Sequence, residues 1–159
     1  YGSCDSTMMI SFVKEIEMAV NASLAILSSK DAAWPEEIDG FSFEGYELKN
    51  DGAPIITYKM PGVSFKETFV TKESGRKLVH TLTLVSDNDS AQIYCLVAQG
   101  ATIEKLPNGL YAIDDKSYYI EFEGKESPLV RNSVDGLKEL VLPVNLMNKS
   151  GVITYSIVW

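Results

Sequence analysis

Short runs of alternating apolar and polar residues recur along the chain from residue 41 to its end. A period of two is typical of half-buried β-strands, because successive side chains point to opposite faces of a sheet. Turn-forming sequences such as Asn-Asp-Gly, Pro-Gly and Asn-Gly separate the runs, and no long helical period lies between them. The pattern predicts strands at residues 41–48, 55–60, 63–70, 77–86, 92–98, 110–114, 117–122, 137–142 and 152–159.

Many short strands joined by tight turns are typical of all-β domains. The pattern therefore predicts a mainly β chain, an antiparallel β-sandwich or a barrel-like sheet of about 9–11 strands. At 159 residues the chain is long enough for one well-packed core and short for two. Residues 1–159 are expected to form a single domain.

The N-terminal region, residues 1–30, does not resolve into one kind of element. Between residues 7 and 27, one set of apolar positions has helical spacing and another set alternates as in strands. One N-terminal helix and a further pair of strands both stay open, and the β character of the rest of the chain favours the strands.

Three of the runs also predict a local distortion or a position within the sheet. Phe43 and Tyr46 fall on different parities, so the alternation slips at Gly45, where a glycine can hold a β-bulge at a sheet edge or corner. The run 92–98 is apolar on both faces, which predicts a central strand. The closing run 152–159 alternates without a break, so it is expected to lie inside a sheet.

The net charge limits the classes of partner. The chain has 14 basic and 22 acidic side chains, for a formal net charge of -8. This charge repels the phosphate backbone that supplies most nucleic-acid affinity, so no nucleic acid is expected as a partner. No stretch reaches the roughly 20 apolar residues that cross a bilayer, so no membrane-spanning segment is expected either.

Two cysteines, Cys4 and Cys95, allow more than one interpretation. They could pair as one disulfide in an oxidising compartment. Cys4 lies in a stretch that would suit a stub near a processed end, where a lipid anchor is conceivable, and an ordinary N-terminal cysteine is an equal alternative.

Candidate reactive groups have little support around them. His80 is the single histidine, and its local sequence offers no partner for acid–base work, so a structural histidine in a strand is predicted. Asp87, Asn88 and Asp89 could bind calcium, but such a run is more often a turn. Nucleophile-elbow, dinucleotide and phosphate-loop motifs are absent, and so are the usual zinc ligand sets. No catalytic residue, metal ligand or cofactor is predicted.

Aromatic residues are the remaining lead, since the chain has eight tyrosines and two tryptophans. Exposed aromatic rings on a β scaffold could form a stacking platform for sugar rings. The alternative is that they pack between the two layers of the fold. The candidate stacking residues are Trp34, Tyr46, Tyr58, Tyr111, Tyr118 and Tyr119.

Four stretches of the chain together suggest a family. They are Trp34-Pro35-Glu36-Glu37, Phe41 to Tyr58 with its Gly45, Tyr46 and Pro54, Leu78-Val79-His80-Thr81-Leu82-Thr83, and Ile153-Thr154-Tyr155-Ser156-Ile157-Val158-Trp159. They resemble a β-rich segment of large secreted proteins of Bacteroidetes and planctomycetes. In those proteins the segment accompanies sugar-dehydrogenase-like propellers and c-type cytochrome domains. The resemblance covers residues 24–159.

The resemblance implies an exported accessory module, periplasmic or at the cell surface, with a lipid anchor as one option. A glycan or a partner enzyme is the implied partner. The chain has neither the haem-binding motif nor a propeller, so the electron-transfer chemistry of those neighbours does not carry over to it.

The expected function is therefore that of a non-catalytic accessory or binding module in a carbohydrate-related context. One alternative is a small β-fold carbohydrate-active hydrolase or lyase, which needs two carboxylates in one cleft. The other is a purely structural protein-interaction module with an open sheet edge or an apolar patch. The carboxylates considered for the enzyme are Glu47, Glu67, Asp114, Glu121 and Glu123.

Overall fold

The computed structural model describes residues 24–50, 53–123, 126–133 and 135–159. Within them the chain is mostly β and forms two antiparallel sheets packed face to face, which confirms the predicted β-sandwich; neither sheet closes into a barrel. The strands of this part are β1 (Leu24–Ile26), β2 (Ser42–Leu48), β3 (Pro54–Met60), β4 (Val63–Lys72), β5 (Lys77–Ser86), β6 (Ile93–Gly100), β7 (Ile103–Lys105), β8 (Tyr111–Ile113), β9 (Tyr118–Phe122), β10 (Leu129–Asn132), β11 (Lys138–Pro143) and β12 (Ser150–Val158).

The two sheets differ in size. The smaller has the strand order β1-β6-β11-β10, and the larger has the order β2-β3-β4-β5-β12-β9-β8-β7. β6 lies between β1 and β11, and β12 lies between β5 and β9, so both strands are interior as predicted. After β6 the chain crosses into the larger sheet at β7, and it returns to the smaller sheet at β10.

The strands that the pattern missed are the short ones. β7 and β10 contain three and four residues, too few for an alternation to stand out by itself. β8 also has three residues, but the longer run 110–114 predicts it. β1 resolves the end of the uncertain N-terminal region as a strand. The choice between helix and strands for residues 7–23, together with Cys4, lies outside the described residues.

The core is a single layer of side chains between the sheets. Inward positions of β4, β5 and β12 alternate with outward positions that are a mixture of Ser, Thr, Lys and Val, as in an antiparallel sheet with one face towards solvent. Full burial of one large apolar side chain contributes about 1.5–3 kcal/mol. The largest buried side chains include Phe65, Phe69, Leu82, Ile113, Ile120 and Leu140.

An arginine of the smaller sheet holds the connection that leads to β2. The Nε of Arg131 donates to Glu139 Oε1 at 2.8 Å, and its Nη1 donates to the carbonyl oxygens of Lys30 at 2.8 Å and Ala32 at 2.6 Å. Glu139 is buried, so the arginine also neutralises a carboxylate that would be costly to bury alone. The chain therefore enters β2 from an anchored position.

Candidate functional site

Strand β2 is the terminal strand of the larger sheet in the described part of the chain. It pairs with β3, and the register shifts between Phe43 and Gly45, which confirms the bulge predicted at that glycine. Gly45 has a φ of +146°, a conformation that residues with side chains rarely adopt. The bulge leaves Glu44 as the extra residue of the strand.

The outward backbone groups of β2 can be identified from its turn. Lys49 N–H donates to the carbonyl of Ala53 at 2.9 Å, which closes the hairpin, and Pro54 opposite Leu48 has no N–H to give. Hydrogen-bonded and non-hydrogen-bonded pairs alternate along antiparallel strands. The N–H and C=O groups of Tyr46 and Leu48 therefore point away from β3, and so do those of Phe43 beyond the bulge.

The side chains of these same three residues form an exposed apolar surface. Phe43, Tyr46 and Leu48 are 58%, 53% and 44% exposed. They lie on the core-side face of the sheet, opposite Tyr58, Ile56 and Pro54 of β3, which are buried. We call Phe43, Tyr46 and Leu48, with their outward backbone groups, the β2 edge.

A cluster of rings supports the β2 edge from behind. Tyr58 stacks on Phe41 with ring centroids 5.4 Å apart and on Phe65 at 5.1 Å. Phe43 meets the ring of Tyr58 edge-on at 5.9 Å. Such pairs hold rings in defined positions. Phe43 therefore contacts a packed aromatic cluster on one side and is exposed on the other.

The segment of chain that contains β2 is acidic, although the exposed Lys59 of β3 lies opposite Ser42. Residues 36–49 contain five acidic side chains and one basic side chain, all of them exposed. A surface of one sign attracts partners of the other sign over about 8–10 Å at physiological salt. The acidic residues are Glu36, Glu37, Asp39, Glu44 and Glu47, and the basic residue is Lys49.

The six candidate stacking residues do not share one surface. Tyr58 and Tyr111 are 6% and 7% exposed. Tyr118 and Tyr119 are half-buried and adjacent in β9, so they point to opposite faces, and burial together with the negative charge of Asp114 raises the pKa of Tyr118. Trp34 is half-buried, which leaves Tyr46 as the exposed member of the set.

His80 is buried and hydrogen-bonded, as the sequence predicts. Its Nδ1 lies 2.6 Å from the hydroxyl of Tyr155, and its Nε2 lies 3.7 Å from Glu67 Oε1. The ring stacks on Phe69 with centroids 4.3 Å apart. The pattern did not single out Glu67 and Tyr155 as partners, although both share the inward parity of their strands. The group lies inside the core.

The five carboxylates considered for catalysis are spread over the molecule. Glu47 is exposed on β2, Glu67 is in the core, and Asp114 accepts a hydrogen bond from the N–H of Ala101 at 2.6 Å. Glu121 pairs with Lys77 at 2.6 Å, an interaction that raises the pKa of the lysine. Glu123 is exposed just after β9.

Two hollows lie beside the loop that follows β9. One, of about 340 Å³, is lined by groups that include Lys105, Tyr111, Glu121 and Glu126, and Lys105 Nζ lies 6.0 Å from the centre of the Tyr111 ring. The other, of about 430 Å³, shares Glu126. Among the five candidate carboxylates, Glu121 alone lines either hollow.

Residues that could bind a metal ion are scattered over the described ranges. There, no group of three or more His, Cys, Asp and Glu side chains is placed to hold a metal ion. Asn88 Oδ1 accepts from the N–H of Ser90 within the turn, and Asp89 Oδ1 accepts from the N–H of Lys149 in the loop before β12. Cys95 is buried in β6. None of the helices in this part of the chain has the length and apolar character to cross a membrane.

Comparisons with protein-family models, with curated proteins and with solved structures gave no match to the chain. Its function is therefore inferred from its own residues.

Proposed function

We propose that the chain is a non-catalytic binding module that docks an extended segment of a partner protein along the β2 edge. The observation that carries this proposal is the coincidence of two features in Phe43, Tyr46 and Leu48. Their side chains are exposed apolar groups, and their backbone groups point outward from the strand that ends the larger sheet within the described residues.

Strand addition is a common mode of peptide recognition. Main-chain hydrogen bonds supply affinity, and alternate side chains supply specificity. Sheet edges that bind nothing usually carry lysines, prolines, inward charges or β-bulges. β2 has one of these features, the bulge at Gly45, but it also exposes three large apolar side chains, which such edges do not need. Aromatic residues are also the residue types that contribute most to binding at protein interfaces.

The other candidate groups support binding rather than catalysis. His80 and Glu67 are in the core, and Glu121 is engaged by Lys77. A sugar platform needs several exposed rings in one plane, and Tyr46 is the exposed member of the candidate set. The resemblance to exported bacterial proteins adds a context in which this module would attach to a partner enzyme, periplasmic or at the cell surface.

The proposal is tested by titrating the ¹⁵N-labelled chain with a short synthetic peptide that alternates Val and Thr. We expect saturable chemical-shift changes along β2 and β3. Tyr46→Pro removes one outward N–H, at an edge where proline is tolerated, and Phe43→Ser removes apolar contact. Each should weaken binding by about tenfold or more.

Matched controls come from the solvent face of the same sheet. Val85→Ser and Val152→Ser remove exposed apolar groups from β5 and β12 and should leave the affinity unchanged. Shift changes that avoid β2 would contradict the proposal. So would saturable binding of soluble glucan or xylan around Trp34 or Tyr111, which would favour the carbohydrate-binding alternative instead.

A further inference from the structure

The geometry points to a partner segment that alternates apolar residues with lysine or arginine. This inference rests on the proposed docking at the β2 edge and adds the chemistry that the edge selects. It follows from how β2 distributes its side chains between its two faces.

Apolar and acidic groups of β2 lie on opposite faces. Phe43, Tyr46 and Leu48 share the core-side face through their pairing with β3, whereas Glu47 pairs with Ile55 on the other face. Ser42 shares that second face through its pairing with Lys59, and its hydroxyl lies 3.4 Å from Glu44 Oε1, so the carboxylate of the bulge residue lies near the same face. A strand added next to β2 therefore meets apolar groups on one face and carboxylates on the other.

Cross-strand pairs stabilise a sheet when opposite charges or apolar groups face each other. An added strand that matches β2 places apolar side chains beside Phe43, Tyr46 and Leu48. It places basic side chains beside Glu44 and Glu47. The wider acidic stretch over residues 36–49 would attract the same basic segment at longer range.

The same charges disfavour a second copy of the chain as the occupant. Antiparallel pairing of β2 with β2 would bring the carboxylates of Glu44 and Glu47 from both copies together on one face. Like charges directly opposite each other are destabilising, and each copy carries a formal net charge of -8. A basic partner meets no such repulsion.

Three synthetic peptides of equal length test the inference. They share the same apolar residues and carry Lys, Thr or Glu at the alternate positions. We expect affinity to fall in the order Lys, Thr, Glu, with the Lys peptide at least about tenfold tighter than the Glu peptide at low salt. The difference should shrink as NaCl is raised from about 20 to about 500 mM, because salt screens exposed charges.

A variant without the two carboxylates of β2 tests whether they cause the preference for the Lys peptide. Glu44→Gln combined with Glu47→Gln should bring the Lys and Thr peptides to similar affinity without abolishing either interaction. The matched control is Glu104→Gln combined with Glu123→Gln, which removes two exposed carboxylates elsewhere and should keep the preference for Lys.

The outcomes separate this inference from the proposed function. Equal binding of all three peptides at β2 would overturn the charge selection and leave docking intact. Binding of none would overturn both. Shift changes from the Lys peptide that spread over acidic residues and spare the β2 and β3 amides would overturn the inference as non-specific attraction. Sedimentation velocity without peptide tests for a dimer. A dimer that forms through β2 would make a second copy of the chain, and not a basic segment, the occupant of the β2 edge.

Discussion

His80, Tyr155 and Glu67 form a polar group within the core, on the three consecutive strands β5, β12 and β4 of the larger sheet. Buried polar groups contribute to specificity when they are satisfied, and they are costly when they are not. A slip of β12 against β5 by one residue would turn Tyr155 to the solvent face and separate it from His80. The group therefore favours the observed pairing register of β12 and β5 over registers shifted by one residue.

Removing the tyrosine hydroxyl should reveal this contribution. Tyr155→Phe keeps the ring and withdraws the hydrogen-bond partner of the buried His80 Nδ1, so we expect the free energy of unfolding to fall by about 1–3 kcal/mol. Urea denaturation followed by circular dichroism measures the change. Tyr46→Phe, at an exposed tyrosine, is the matched control and should have little effect. Equal losses in both variants would contradict a stabilising role for the buried hydroxyl.

At the scale of elements, the corner between β6 and β7 carries the chain from one sheet to the other. Asp114, at the end of β8, accepts from the N–H of Ala101 and donates its own N–H to the carbonyl of Thr102. A Cβ at Gly100 would lie 2.6 Å from the Oδ1 of Asp114. The absence of a side chain at Gly100 thus allows the carboxylate to cap the crossing.

Gly100→Ala should therefore destabilise the fold, because the methyl group would displace the carboxylate from Ala101. We expect a loss of about 1–3 kcal/mol in the free energy of unfolding, in the range of overpacked sites. A double-mutant cycle with Asp114→Gly tests the cause, since the added methyl should cost much less once the carboxylate is gone. Additive losses would mean that the clash lies elsewhere.

At the scale of the whole molecule, two groups with raised pKa values make the free energy of unfolding depend on pH in the alkaline range. The hydrogen bond to Glu121 raises the pKa of Lys77, and burial raises the pKa of Tyr118. Both groups bind their protons more tightly in the folded state than in the unfolded state. Their contribution is fully present below their ordinary pKa values, near 10, and is lost as the pH rises through the raised values of the folded state.

Urea midpoints measured from about pH 9 to about pH 12 should consequently fall with pH, and Lys77→Met or Tyr118→Phe should make that fall shallower. Lys59→Met, at an exposed lysine of β3, controls for the general repulsion of an acidic protein at high pH. Identical slopes in the parent and in both test variants would refute the assignment to Lys77 and Tyr118.

The sequence alone determined the fold class and much of its detail. Alternation predicted an antiparallel sandwich or barrel-like sheet and its longer strands, the slip at Gly45 predicted the bulge, and the doubly apolar run 92–98 predicted an interior strand. These features are local, because a period of two, and a glycine where that period slips, can be recognised within a few residues. For the same reason β7 and β10 escaped notice, because a three- or four-residue strand shows little of a period. The equally short β8 was predicted as part of the longer run 110–114. Only the pairing between strands decided for the sandwich.

Tertiary structure decided the candidate site. Tyr46 and Tyr58 look alike as strand tyrosines, yet one is exposed at an edge and the other is buried under Phe41 and Phe65. Phe43 and Leu48 were predicted as strand residues and not as binding residues. Period two shows which side chains share a face. Whether that face is covered, and which strand ends the sheet, depends on pairing between segments far apart in the chain.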